Sequence, residues 1–254
     1  ELESPRAGTA IQRNVGWRAT SAPIVAFTDD DCRPAPRWLE RILEALKDGS
    51  GFLQGRTEPD PDEVHLLHGL ARTVRNEHPS GWYETCNIAY PRELLKQLGG
   101  FDESFDFLGE DADLGARAAR AGAELAFDHE ALVWHAVHWR SLRAALGDAR
   151  KRGSRPRLVR RHPELRDSLW LGVFADRDHA RVVLAVAGAA LARRWPTLGA
   201  LACIPYLSRR VDRSRLTPWS VVRMPSHLLA RAAVDIVEVG SFGLWAARAR
   251  TLVL

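Results

Sequence analysis

Cysteine is sparse in this chain of 254 residues: Cys32, Cys86 and Cys203 stand far apart, and none belongs to a C-x-x-C pair. That spacing excludes a disulfide framework and a cysteine zinc cluster, and it fits a reducing compartment, so a cytoplasmic location is expected. Lysine is scarce too, leaving arginine to carry nearly all the positive charge. No apolar run approaches the ~20 residues of a membrane-spanning helix. There is no recognisable signal peptide, internal repeat or low-complexity tract. The chain opens on ELESPRAG without an initiator Met, and no strand pattern precedes Ile24. The expectation is that the amino-terminal part of a longer protein is missing.

What is present describes a folded α/β protein. Hydrophobic residues make up 46% and charged residues 27%, ordinary for a chain that buries a core. The net charge of +4 is unevenly spread, with arginine concentrated in RSLRAALGDARKRGSRPRLVRRHPELR, 140–166. Such a run is either a solvated helical face or a surface for an anionic neighbour such as phosphate or acidic lipid. Aromatic residues are not interleaved with these arginines as nucleic-acid stacking requires, so no nucleic-acid partner is expected.

Periodicity sets the organisation. The run 24–28 reads as a buried strand, WLERILEALKD as a helix with Leu39, Ile42, Leu43 and Leu46 on one face, and 52–57 as a second strand. NIAYPRELLKQLGGFDE predicts a strand, a short helix and a turn; 110–121 is helical, and 124–127 and 131–134 read as two short strands. Alternation of this kind predicts a layered α/β domain over 1–140, followed by a mainly helical region, 141–254. In that second region VVLAVAGAALA (182–192) and TLGALACIPYL (197–207) are bracketed by Arg181, Arg193, Arg194, Arg209 and Arg210. They are either core helices or interfacial segments with arginines at headgroup level, which would give a peripheral contact at the inner face of the cell membrane. Leu228, Leu229, Ala232, Ile236 and Val239 predict the apolar face of a further helix.

Chemistry concentrates in three places. Asp-x-Asp occurs four times, at 29–31, 60–62, 111–113 and 176–178, but only Asp29–Asp31 stands at the end of a buried apolar strand, where open sheets collect ligands. Three adjacent carboxylates repel unless a cation neutralises them. Hard oxygen ligands select Mg²⁺ or Mn²⁺, although acids can also simply cap the following turn. The second place is GGFDESFDFLGEDADLGARAARAG, 99–122, where Glu110 and Asp111 open a helix. They are either caps that the helix dipole favours or a general base with its helper. Asp111 and Asp113, two apart, cannot both face one ligand from a regular helix. The third is WHAVHW, whose His135 and His138 offer imidazole nitrogen to complete a metal site.

The order QRNVGWRAT, IVAFTDDDCRPAPRWLERIL, ETCNIAYPRELLKQLGGFDESFDFLGEDADLGARAARAGAELAF and VWH, over residues 11–138, resembles glycosyltransferase family 2. This is a family of inverting transferases with the GT-A fold, a Rossmann-like three-layer α/β/α domain with a mixed sheet. The resemblance implies a nucleotide-diphosphate sugar donor and a glycan or lipid-linked hydroxyl acceptor, and the basic, apolar-patched tail points to bacterial cell-envelope or polysaccharide synthesis. It implies Asp111 as catalytic base, Glu110 as the residue that orients the acceptor, and Asp29, Asp31 and His135 as metal ligands, with His138 the second choice. Asp30 is implied near the ribose, Arg13 and Asn14 beside the nucleotide, and Trp82, Asn87 and Asp113 on the substrate side, Trp82 offering a face for a sugar ring. The family's opening strand and nucleotide-binding loop have no counterpart before Ile24, and the region after about 140 lies outside the shared core. The competing readings are a metal-dependent phosphoryl-transfer enzyme, which the Cys-Arg-Pro after the acids and the scarce lysine disfavour, and a non-catalytic nucleotide-sugar or membrane-docking module.

Overall fold

The apolar run after Pro23 forms a strand that leads into the three aspartates, and the rest of the first unit is layered around it. In the computed structural model the described residues are 3, 7–49, 51–105, 108–152, 155–210 and 218–254, with side chains from 225 onward in the last stretch. The chain separates into two compact units: Glu1–Trp139 with His162–Leu165, and Arg140–Arg161 with Arg166–Leu254.

The first unit runs α1 (Thr9–Ala19), β1 (Ile24–Phe27), β2 (Cys32–Pro34), α2 (Trp38–Ala45), β3 (Phe52–Pro59), β4 (Ile88–Pro91), α3 (Arg92–Leu98), α4 (Glu110–Arg120) and β5 (Leu125–His135). The sheet order is β1-β4-β3-β5-β2, with β3 and β5 parallel and the other neighbours antiparallel. Alternation along β3 and β4 sends side chains to both faces. Phe52, Ile88 and Tyr90 meet Trp17 of α1, Leu95 of α3 and Leu114 of α4, whereas Leu53 and Ala89 meet Trp38 and Ile42 of α2. Burial on both faces is why β4 reads as an apolar run. Each large side chain so enclosed contributes roughly 1.5–3 kcal/mol. The fold class is the mixed α/β arrangement expected.

Two local differences have physical causes. The stretch read as two short strands is the single strand β5; its pairing with β3 shifts register between Gly55 and Thr57, and Asp128 Oδ1 accepts from the Glu130 and Ala131 amides at the irregularity. Helix α1 was not foreseen, because its buried positions mix Ala10, Ile11, Asn14 and Trp17 and give little apolar contrast. Asn14 explains that mixture. Its Nδ2 donates to Phe101 O and Glu103 Oε1, and its Oδ1 accepts from Trp17 Nε1 and the Phe101 amide, all at 2.9 Å. The turn it grips needs glycine: at Gly100 φ is +78°, and a Cβ would lie 2.5 Å from Asn14 Oδ1.

The second unit holds α5 (Leu142–Arg152), α6 (Arg155–Arg161), α7 (Arg177–Leu191), α8 (Pro196–Arg210) and α9 (Pro218–Ala249). Helices α7 and α8 are the two apolar runs, packed as a hairpin so close that a Cβ on Gly188 would sit 2.9 Å from Gly199 O. Leu184, Val186, Leu191, Leu198, Leu201, Ile204 and Leu207 nevertheless remain about half exposed. No helix among the described residues is long and apolar enough to cross a membrane. Along α9 the buried line is Val234, Asp235, Glu238, Phe242 and Ala246 rather than the apolar face read from the sequence, and Leu229 and Ile236 are exposed. Ion pairs explain that choice. Glu238 meets Arg152 at 3.1 Å and His179 at 3.6 Å, and Asp235 meets Arg210 at 2.9 Å and Arg231 at 3.0 Å. Burial alone would raise the Glu238 carboxyl, but His179 and Arg152 hold it down at about 2.

Candidate active site

Two acidic corners of the first unit meet at one arginine. Arg13, projecting from α1, donates from one guanidinium nitrogen to Glu110 Oε1 at 2.6 Å and from another to Asp29 Oδ1 at 2.9 Å. Burial works against its charge, but Asp29 and Glu110 more than offset this and leave its pKa raised. The turn after β1 and the first residue of α4, read from the sequence as separate motifs, therefore share one site.

Around this bridge the acids differ in environment. Glu110 is buried, and its Oε2 has no partner among the described residues although it is enclosed. A buried carboxylate oxygen without a donor is costly unless a ligand completes it. Asp111, the next residue, accepts from the Ala112 amide at 2.8 Å. Burial, then the Glu110 charge, push its carboxyl up to about 7. That value suits a group that must take a proton near neutrality. Glu84 adds a smaller push in the same direction; it accepts from Gln54, Asn76 and Ser80, and the sequence offered no reason to single it out.

The metal-ligand set is regrouped relative to expectation. Asp31, His135 and His138 bring one ligand atom each to within 4.8 Å of one another. Strand pairing causes this: Cys32 lies opposite His135, the Ala136 amide donates to Asp31 O, and His138 exchanges both backbone hydrogen bonds with Arg72. His138 Nε2 is 2.8 Å from Asp31 Oδ2, and His135 Nε2 is 3.7 Å from Oδ1. Burial would raise the Asp31 carboxyl, but the two histidines win and hold it low. His135 Nδ1 lies 2.8 Å from Ala136 O, which can only accept, so Nδ1 carries a proton and Nε2 is the nitrogen turned to Asp31. One carboxylate and two imidazoles fit a divalent cation, and two nitrogens weigh toward Mn²⁺ over Mg²⁺. Asp29, expected in this set, has its carboxylate on Arg13, while Asp30 is exposed beside it.

Three other expected ligand residues are committed internally. Asn14 spends its amide on the Phe101 turn, as described, so Arg13 alone of that pair faces the acids. Asn87 is buried; it donates to Arg56 O and Ala131 O and accepts from Trp38 Nε1 at 2.8 Å, leaving no polar atom for a sugar. Asp113 is fully buried, with Arg117 at 2.7 Å and His162 Nε2 at 2.8 Å. Arg117 also donates to Leu98 O and Gly100 O, so this carboxylate anchors α4 to the turn after α3. His162 had no signal in the sequence, lying at the end of the arginine run. Trp82 is half-buried, with its amide on Ser80 Oγ.

Comparison with known proteins finds relatives by sequence and by fold. Residues 2–101 match the model of glycosyl transferase family 2. The chain is 29% identical to the pre-mycofactocin glycosyltransferase of Mycobacterium tuberculosis across 94% of its own length and 50% of that protein. It is 28% identical to the validoxylamine A glucosyltransferase of Streptomyces hygroscopicus subsp. jinggangensis, across 65% of this chain and 47% of that one. The chain spans about half the length of the curated relatives it matches. Among solved structures, the mannosyltransferase PcManGT from Pyrobaculum calidifontis, in complex with GDP-Man and Mn²⁺, superposes with a TM-score of 0.50 at 19% identity, over 98% of this chain and 68% of that one. The fold is GT-A-like. Across residues 2–101 the chain is thus similar to glycosyltransferase family 2.

Proposed function

We propose that this chain transfers a sugar from a nucleoside-diphosphate donor to a hydroxyl acceptor, in one displacement with inversion at the anomeric carbon. The carrying observation is the Arg13 bridge, which joins the Asp29–Asp31 turn to a helix start whose second residue, Asp111, is pushed up to about 7. In this reading the acceptor oxygen bonds to the anomeric carbon, its proton passes to Asp111, and the bond to the diphosphate breaks with its electron pair leaving on the diphosphate. Glu110 Oε2, enclosed and without a partner among the described residues, receives a second acceptor hydroxyl and orients it. Asp31, His135 and His138 would hold the cation, whose charge when bound offsets that of the diphosphate. The relatives named as glycosyltransferases support the reaction class. The test is a panel of nucleotide sugars, with release of the nucleoside diphosphate measured with Mn²⁺ and with EDTA. Release from at least one donor only with Mn²⁺ is the expected result; no metal-dependent release from any donor opposes the reading.

The α7–α8 hairpin supports a finer statement about location: it docks on an anionic bilayer surface. Its half-exposed leucines are joined at the hairpin connection by exposed Arg193, Arg194 and Trp195, with the Arg194 guanidinium 5.8 Å from the indole centre. Arginine at phosphate level and tryptophan at the interface complement such a surface. Flotation with phosphatidylglycerol vesicles, lost in Leu198→Ser/Leu201→Ser, is expected; equal flotation of the variant opposes it.

A further inference from the structure

The second unit contains a basic cavity that the proposed reaction does not use. About 430 Å³ in volume, it is lined by Arg157, Arg160 and Arg161 of α6 and by Trp245, Arg248 and Ala249 at the end of α9. No carboxylate is among the residues lining it. Arg157 and Arg248 each place the guanidinium carbon 5.3 Å from the centre of the Trp245 ring. Arg160 donates to Ala249 O at 2.8 Å, which fixes α6 against the last turn of α9.

Arg157, Arg160 and Arg248 repel one another around this cavity, and an indole contact orients two of them without neutralising either. Cation–π contact holds the groups in place, so less freedom is lost when they close on an anion. Planar guanidinium forks match the oxygens of a phosphate group bidentately, and the three positive charges of Arg157, Arg160 and Arg248 call for an anion carrying more than one negative charge. We infer that this cavity is a binding site for a phosphate-bearing anion of at least two charges, a diphosphate being the chemistry that fits. Its ligand is either a soluble diphosphate or the headgroup phosphate of a lipid; the recognition is the same.

The test uses the whole chain at physiological ionic strength with EDTA, so that a cation site at Asp31 makes no contribution. Inorganic pyrophosphate titrated calorimetrically should bind saturably with one site per chain. Arg157→Ala/Arg248→Ala should weaken that binding at least tenfold. Both residues are exposed, so the variant is expected to fold, with circular dichroism and melting temperature as the check. Trp245→Phe, which keeps an aromatic face, should retain most of the affinity. Vesicles containing phosphatidic acid, whose phosphomonoester carries up to two negative charges, separate the sources when added to the complex: displacement of pyrophosphate assigns the site to lipid headgroups, and unchanged binding assigns it to a soluble diphosphate. Absence of saturable binding to the wild-type chain, or equal affinity in a folded double variant, overturns the inference. Neither result bears on transfer by the first unit, which is measured with metal present.

Discussion

Arg13 and Glu110 lie 97 residues apart in sequence and meet at 2.6 Å, with the second half of the same guanidinium on Asp29. One cation thus serves two acidic corners, one from the turn after β1 and one from the start of α4. Arg13→Met should leave Glu110 buried without its positive partner. Breaking a buried pair from one side costs about 3–5 kcal/mol, and the partly exposed Arg13 brings the expected loss to about 2–3 kcal/mol. Adding Glu110→Gln to Arg13→Met should restore part of that stability in denaturant melts. A double variant no more stable than Arg13→Met alone contradicts the pairing.

The Asp111 carboxyl sits well above its ordinary value, at about 7, so it carries a proton below that pH and is available as a base above it. The transfer rate should rise with pH through about 7 and then level. Removing the Glu110 charge in Glu110→Gln should move the midpoint down, since that charge is one cause of the shift. A midpoint that stays in place in Glu110→Gln, read from a pH–rate profile, opposes the assignment.

The same shift has a stability consequence of definite sign. A carboxyl whose folded-state pKa is raised contributes stability below its unfolded value, near 4, and loses it as pH rises through about 7. Asp111→Asn should therefore melt higher than the parent chain above pH 7, by about 2–4 kcal/mol or several degrees, and equally below pH 4. Calorimetry at both pH values checks the sign. A variant less stable at high pH contradicts it.

The regrouped cation set makes a selective forecast. His135→Ala, His138→Ala and Asp31→Ala should each weaken Mn²⁺ binding about tenfold or more, whereas Asp29→Asn should leave it within a few-fold. Direct titration with Mn²⁺ separates the cases. Loss in Asp29→Asn equal to that in Asp31→Ala would return Asp29 to the cation.

How much of this was legible depended on the range of the interaction. The strand Ile24–Phe27 running into acids and the helix opening at Glu110 are local patterns, and both stand where the sequence placed them. What periodicity cannot show is where a polar side chain spends its hydrogen bonds. Asn14 and Asn87 lie in stretches that pointed to ligands, yet each is consumed by backbone and side-chain groups, most of them far along the chain. Asp113 is buried because His162, 49 residues later, returns to it, and nothing near His162 marks that return. A backbone bridge to Arg72 carries His138 beside Asp31, whereas Asp29 is held by Arg13. The buried face of α9 follows ion pairs from other helices, which no apolar pattern within the helix could reveal.

The central claim is that Asp111 takes the proton while Asp31, His135 and His138 hold the cation. The most direct measurement compares Asp111→Asn with Asp31→Ala for Mn²⁺-dependent donor binding and for sugar transfer, on a donor that the parent chain uses. Asp111→Asn should bind donor as tightly as the parent and transfer at least a hundredfold more slowly, whereas Asp31→Ala should lose both. Near-normal turnover by Asp111→Asn contradicts the account.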